Sequence, residues 1–229
     1  MQSGLNASPM HPFCRCSTAA HYTEEKDVAK NGDKVYNRGT DTSINLAEAL
    51  LSTVSAKEPY ITKILGSIVL ENKGKLEGLD FRLKSASSLS RKIESDALVD
   101  NISLHAASKK IKDVLRYTTI FETEDFEISY NQMKKQLIKQ GFEVQNVKNT
   151  WLTNGPYKGV NTFLKKDGLV FEMQYHTQES FDLKDGPLHE LYERYRDVNT
   201  SDQERMKLFT EMVELSKQLK VPQNIERVK

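Results

Sequence analysis

Between Phe171 and His176 apolar and polar residues alternate without interruption: Phe-Glu-Met-Gln-Tyr-His. In a β-strand this period of two puts Phe171, Met173 and Tyr175 on one face and Glu172, Gln174 and His176 on the other. A carboxylate, an amide and an imidazole in line cost desolvation free energy unless each finds a partner. The strand therefore calls for a sheet that buries one face in a core and supplies polar groups to the other. Lys166-Asp167-Gly168 precedes it as the turn of a hairpin, with Gly159 to Lys165 as the other arm. Phe142 to Trp151 reads as a further strand. Val114 to Phe121 is β-rich and almost continuous, which predicts a central strand. Leu79-Asp80-Phe81-Arg82-Leu83-Lys84 alternates apolar and mostly charged residues and predicts a half-buried strand.

Helical spacing links these strands. Leu46, Ala49, Leu50 and Val54, then Ile61, Ile64, Leu65, Ile68 and Val69, recur at helical intervals, with Pro59 restarting the helix after Glu58. Ser85 to Ile93, residues 97–112, residues 124–140 before Gly141, Glu179 to Arg196 and Asp202 to Lys220 also read as helices. Strands interspersed with helices predict an α/β or α+β domain over residues 44–229, with a mixed sheet of about five strands flanked by helices. Residues 1–43 are expected to be a flexible linker, because Ala19 to Ser43 is rich in Thr, Asn, Asp, Gly and Lys and poor in large apolar groups.

Composition excludes several classes. Charged residues make up 28% of the 229, and no run approaches the roughly 18 apolar residues that a membrane span needs, so no membrane partner is expected. Pro9, His11, Pro12 and Arg15 stand where a signal peptide needs an apolar block. Basic and acidic residues nearly cancel, at 33 against 32, which excludes a uniform field for nucleic acid but not a local patch. Cys14 and Cys16 cannot form a disulfide framework and, with His11, make an incomplete metal set.

Four clusters carry chemistry. Arg82, Lys84, Ser85, Ser88 and Lys92, with Arg91, combine cations with the hydroxyl-rich start of a helix, which suits phosphate oxygens; a solvated strand face with an ordinary cap is the alternative. Asp113 directly precedes the central strand and can face a cation or simply start a turn. Tyr157 and Lys158 follow the Asn154-Gly155-Pro156 turn, with Asn161 on the next strand; an exposed aromatic beside a cation can stack a base, or the Tyr can cover the core edge. Glu172, Gln174 and His176 form the fourth cluster.

In this order the clusters resemble the synthetase domain of the RelA/SpoT family, the alarmone synthetases, over about residues 45–200. The matching segments are Arg82-Leu83-Lys84-Ser85, Asp113, Tyr157-Lys158-Gly159-Val160-Asn161 and Glu172-Met173-Gln174-Tyr175-His176-Thr177. The chain departs from the family where Asp-x-x-Gly-x-Arg becomes Asp113-Val-Leu-Arg116-Tyr, where a His after the Tyr loop is Asn161, and where an Arg before the Thr is His176. The closing segment from Glu179 to Arg196 resembles phage and toxin members. His11-Pro12-Phe13-Cys14-Arg15-Cys16 is similar to the end of phage Mu F-like minor head proteins, making the N-terminal region a head-protein remnant.

The resemblance implies a nucleotidyltransferase-like synthetase fold and an Mg²⁺-dependent pyrophosphokinase toxin, transferring pyrophosphate from ATP to the ribose 3′-hydroxyl of a purine nucleotide. It implies Asp113 and Glu172 as metal ligands; Arg82, Lys84, Ser85, Ser88 and Lys92 as ATP phosphate ligands; and Tyr157, Lys158 and Asn161 as acceptor ligands. Glu172 is then the general base, with Gln174 and His176 orienting the reacting groups. An amide at Asn161 inclines the acceptor towards adenosine over guanosine. A cognate immunity protein and action in the cytoplasm of a target bacterium follow from the toxin likeness. The alternatives are pyrophosphorylation of the tRNA 3′ end, using cations of the last helices, and a non-enzymatic head-assembly protein. An ADP-ribosyltransferase is disfavoured because Glu172-x-Gln174 lacks the second Glu.

Overall fold

The computed structural model describes residues 42–197 and 199–229. The remnant and linker expected over residues 1–43, with Cys14 and Cys16, lie outside the described residues apart from Thr42 and Ser43. These two already belong to the domain: the Thr42 hydroxyl accepts from the Asn45 amide and caps α1 (Ser43–Ser55). Pro59 sits in the first turn of α2 (Glu58–Glu71), where its missing N–H leaves no helical bond unmade. A short strand, β1 (Lys75–Glu77), follows.

The strand expected over residues 79–84 is replaced by this edge strand and a turn. Gly78 takes a left-handed conformation, φ 65°, and swings Leu79–Phe81 into a 3₁₀ turn. Arg82 to Lys84 still runs beside residues 114–116 through Lys84 N–Val114 O at 3.0 Å and Arg116 N–Arg82 O at 2.8 Å. Ser85 then caps α3 (Ala86–Asp100). The helix expected over residues 97–112 is broken, because Asn101 is left-handed and Ser103 caps a separate α4 (Leu104–Lys110).

The remaining strands are β2 (Arg116–Ile120), then, after α5 (Phe126–Lys139), β3 (Glu143–Asn149), β4 (Val160–Lys166) and β5 (Leu169–His176). The sheet order is β1-β2-β5-β4-β3, with β2 and β5 parallel and every other pair antiparallel. This is the expected mixed five-stranded sheet, and β5 lies at its centre. Asp167 and Gly168 both have positive φ, the conformation that a two-residue hairpin turn requires. Thr177 and Ser180 form a reciprocal capping box that starts α6 (Gln178–Asp185) at the end of β5. Gly186-Pro187 splits the helix expected over residues 179–196, giving α7 (Pro187–Arg196) before α8 (Asp202–Lys217).

One face of the sheet is the core. Tyr117, Phe171, Met173 and Tyr175 pack with Ile61 and Leu65 of α2 and with Tyr130 and Met133 of α5. Tyr130 meets Tyr175 edge-on at 4.9 Å, and Tyr117 meets Phe171 at 5.7 Å. The other face carries the polar residues. Part of it is closed by α6 to α8, whose own apolar cluster of Leu188, Leu191, Tyr192, Leu208 and Met212 includes Tyr157. No helix among the described residues is long and apolar enough to cross a membrane.

Candidate active site

The parallel register of β2 and β5 sets Arg116 opposite Glu172, and the antiparallel register of β4 and β5 sets Asn161 opposite Gln174. Partners in register project to the same side. Gln174 and His176 are fully buried and Glu172 is 6% exposed. Buried polar groups at this density have to satisfy one another, and their hydrogen bonds form a nearly continuous chain.

Arg116 Nε donates to Glu172 Oε2, and Arg116 Nη2 lies 3.4 Å from Asp113 Oδ2. Lys84 Nζ reaches the same Asp113 oxygen at 3.3 Å. Burial would raise the Asp113 pKa, but Lys84, Arg116 and Lys92 outweigh it and hold the carboxyl below its ordinary value. Asn161 Nδ2 donates to Glu172 Oε1 at 3.0 Å, which leaves Asn161 Oδ1 to accept from the Tyr157 hydroxyl at 2.7 Å.

Tyr157 has one proton to donate and gives it to Asn161. His176 Nε2, 2.9 Å from the Tyr157 oxygen, is therefore the donor in that contact. Nδ1 lies 3.0 Å from Ser180 Oγ, a hydroxyl that donates to the Thr177 carbonyl at 3.2 Å. Burial, reinforced by Lys184, pushes the His176 pKa well below its ordinary value and keeps the ring neutral. Gly159 is required beside it: a Cβ at Gly159 would stand 2.6 Å from the imidazole Cε1. Lys184 Nζ donates to Gln174 Oε1 at 3.3 Å, and Gln174 Nε2 has no hydrogen-bond partner among the described residues.

The structure thus brings together Lys84, Asp113, Asn161, Glu172, Gln174 and His176, with Lys92 acting on Asp113 through its charge. Ser85 and Ser88 stand at the rim, bonded to each other at the start of α3. Arg82 turns away: its Nε pairs with Glu58 of α2 at 2.6 Å, where Thr62 also holds the core-facing Tyr117 hydroxyl. Lys158 Nζ donates to the Thr153 carbonyl at 2.6 Å.

The expectation of an exposed Tyr157 fails. Only 6% of it is accessible, its ring meets His176 edge-on at 5.3 Å, and its hydroxyl is engaged, so it offers no face to a base. Asn161 faces the polar side, where its Oδ1 accepts from Tyr157 and its Nδ2 donates to Glu172. Arg116, Ser180 and Lys184 complete the site and were not singled out as functional residues in the sequence. Among the cations of the last helices, Arg194, Arg196, Lys217, Lys220 and Arg227 each lie against a carboxylate.

Asp113 and Glu172 converge on one guanidinium, so a positive charge at that point meets both carboxylates. A hard divalent cation such as Mg²⁺ takes this kind of oxygen donor.

No protein-family model and no curated protein matches the chain. Among solved structures, the small alarmone synthetase 1 of Bacillus subtilis bound to its product pppGpp superposes with a TM-score of 0.53 at 15% identity, over 74% of this chain and 91% of that one. The chain has the alarmone synthetase fold. The same Bacillus subtilis protein in a second structure gives a TM-score of 0.52 over 90% of its length, again at 15% identity. A further similar structure is that of the Type VI effector Tas1 in complex with its immunity protein, at 17% identity and a TM-score of 0.47, over 80% of this chain and 97% of that one.

Proposed function

We propose that this protein is a pyrophosphokinase that moves the β,γ-pyrophosphoryl group of ATP to the ribose 3′-hydroxyl of a purine nucleotide, releasing AMP. The observation that carries the reading is the convergence of Lys84, Asp113, Arg116 and Glu172 on the polar face of a sheet with the alarmone synthetase fold. The transfer asks for little covalent chemistry from the protein and mostly for positioning and charge neutralisation. The acceptor 3′-oxygen attacks the β-phosphorus, the bond from the α-phosphate oxygen to that phosphorus breaks, and AMP leaves with the electron pair.

Each residue has a role in that step. Glu172 takes the proton of the 3′-hydroxyl, held in place by Asn161. Lys84, Lys92 and the Ser85/Ser88 start of α3 hold ATP phosphates. The Nε2 amide of Gln174 has an unmade hydrogen bond to give to a substrate oxygen. Asp113 and Glu172 would hold Mg²⁺, which when bound neutralises charge on the transferred group. The ring of Tyr157 and the imidazole of His176 position Asn161 rather than touch substrate. The acceptor is proposed as a purine nucleotide without preference between adenosine and guanosine.

The toxin likeness supports action in the cytoplasm of a bacterium, restrained by an immunity protein. Incubation with Mg²⁺ and ATP, plus ADP or GDP in separate reactions, followed by ion-exchange chromatography, tests the activity. AMP should appear together with an acceptor bearing two additional phosphates. If neither acceptor yields AMP, the assignment is wrong.

A further inference from the structure

Arg116 stands where the two metal-type carboxylates meet. Its Nε contacts Glu172 and its Nη2 lies 3.4 Å from Asp113, while Lys84 takes the same Asp113 oxygen at 3.3 Å. All four side chains are largely buried, at 14% exposure or less apart from Asp113 at 18%. Two carboxylates therefore already face two cations, and Lys92 adds a further positive field at Asp113. A bare divalent cation would enter a cluster whose charge is balanced without it, and would have to evict the guanidinium. A divalent cation carried on a polyphosphate arrives with net negative charge, and its phosphate oxygens offer the displaced guanidinium a bidentate partner as good as the carboxylate it leaves.

We propose that Arg116 is a latch in the divalent-cation position, so that metal enters only together with a polyphosphate, which the displaced guanidinium then clamps. This inference rests on the metal roles of Asp113 and Glu172 given above, and it explains why a long cation sits at the start of β2. It also assigns Arg116 two opposed effects, against bare metal and in favour of nucleotide. A residue that merely supported the fold would affect both bindings in the same direction.

The test uses the full chain and Mn²⁺ alone, with binding read from the loss of the free Mn²⁺ electron paramagnetic resonance signal. Wild type should bind Mn²⁺ weakly, and Arg116→Gln should bind it about tenfold or more tightly, because two buried carboxylates lose a cation. Arg116→Lys keeps one charge without the two-pronged fork and should lie between the two. In parallel, affinity for a non-hydrolysable ATP analogue in excess Mg²⁺ should fall about tenfold in Arg116→Gln. The gain in Mn²⁺ affinity should disappear when Asp113→Asn is added. If neither Arg116 variant gains Mn²⁺ affinity, yet Asp113→Asn still abolishes pyrophosphoryl transfer, the latch is wrong and the catalytic reading stands. If Asp113→Asn and Glu172→Gln both transfer pyrophosphate at the wild-type rate, the catalytic reading fails and takes the latch with it.

Discussion

The two faces of β5 are built from alternate residues of one strand and hold together by different physics. Phe171, Met173 and Tyr175 face a core of aliphatic and aromatic side chains, where attraction has little direction and the contribution follows area removed from water. Glu172, Gln174 and His176 are buried as deeply, but each is tolerated there only because a named group answers it: Arg116 and Asn161, Lys184, and Tyr157 with Ser180. Volume governs the first face and individual hydrogen bonds govern the second. Substitutions on the core face should cost stability, and those on the polar face should cost chemistry.

The sharpest separation is expected at Glu172. Glu172→Gln keeps shape and burial but removes the proposed base, and pyrophosphoryl transfer should fall by about 10²–10⁴-fold. Urea unfolding followed by circular dichroism should show a smaller stability loss than a core truncation on the other face. For the same reason expression of the wild type in a bacterium should arrest growth, and Glu172→Ala should not; equal arrest from both would break the link between this face and toxicity.

Phe171→Ala is the opposite case. It should lower unfolding free energy by about 3–5 kcal/mol, read from the urea midpoint, because the ring packs against both Tyr117 and Phe142. Gly159→Ala should destabilise by about 1–3 kcal/mol by pressing a methyl group on the His176 ring. Transfer activity should fall with it, since the His176–Tyr157–Asn161 chain would shift.

The smallest effect is a pH slope. His176 is neutral in the fold and has a pKa well below the ordinary 6.5, so between these values the unfolded chain binds a proton that the folded chain does not. Its contribution is complete above about pH 6.5 and declines by about 1.4 kcal/mol per pH unit as pH falls below that. Asp113, depressed from an ordinary value of 3.8, loses its contribution only in more acid solution. Unfolding midpoints measured from pH 7 to pH 5 should therefore slope in wild type and flatten in His176→Gln.

Local information made much of the fold readable. The alternation in β5, the Asp167-Gly168 turn and the Ser85 cap each depend on neighbours a few residues away. The expected strand over residues 79–84 failed because Gly78 supplied a left-handed turn that alternation does not encode. At the site, sequence pattern brought out Lys84, Asp113, Asn161, Glu172, Gln174 and His176. Arg116 escaped as a site residue because its role depends on a parallel register with a strand 56 residues further on. Tyr157 read as an exposed stacking residue because the helices that bury it, α7 and α8, come later in the chain.

The central claim is that the polar face of β5 transfers an intact pyrophosphoryl group. It is tested most directly by the stoichiometry of AMP to 3′-pyrophosphorylated nucleotide, with ATP labelled at the β-phosphate, in wild type and in Glu172→Gln. The expected result is one AMP per labelled product in wild type and neither above background in Glu172→Gln. AMP formed with free labelled pyrophosphate, or equal product from both proteins, would contradict the claim.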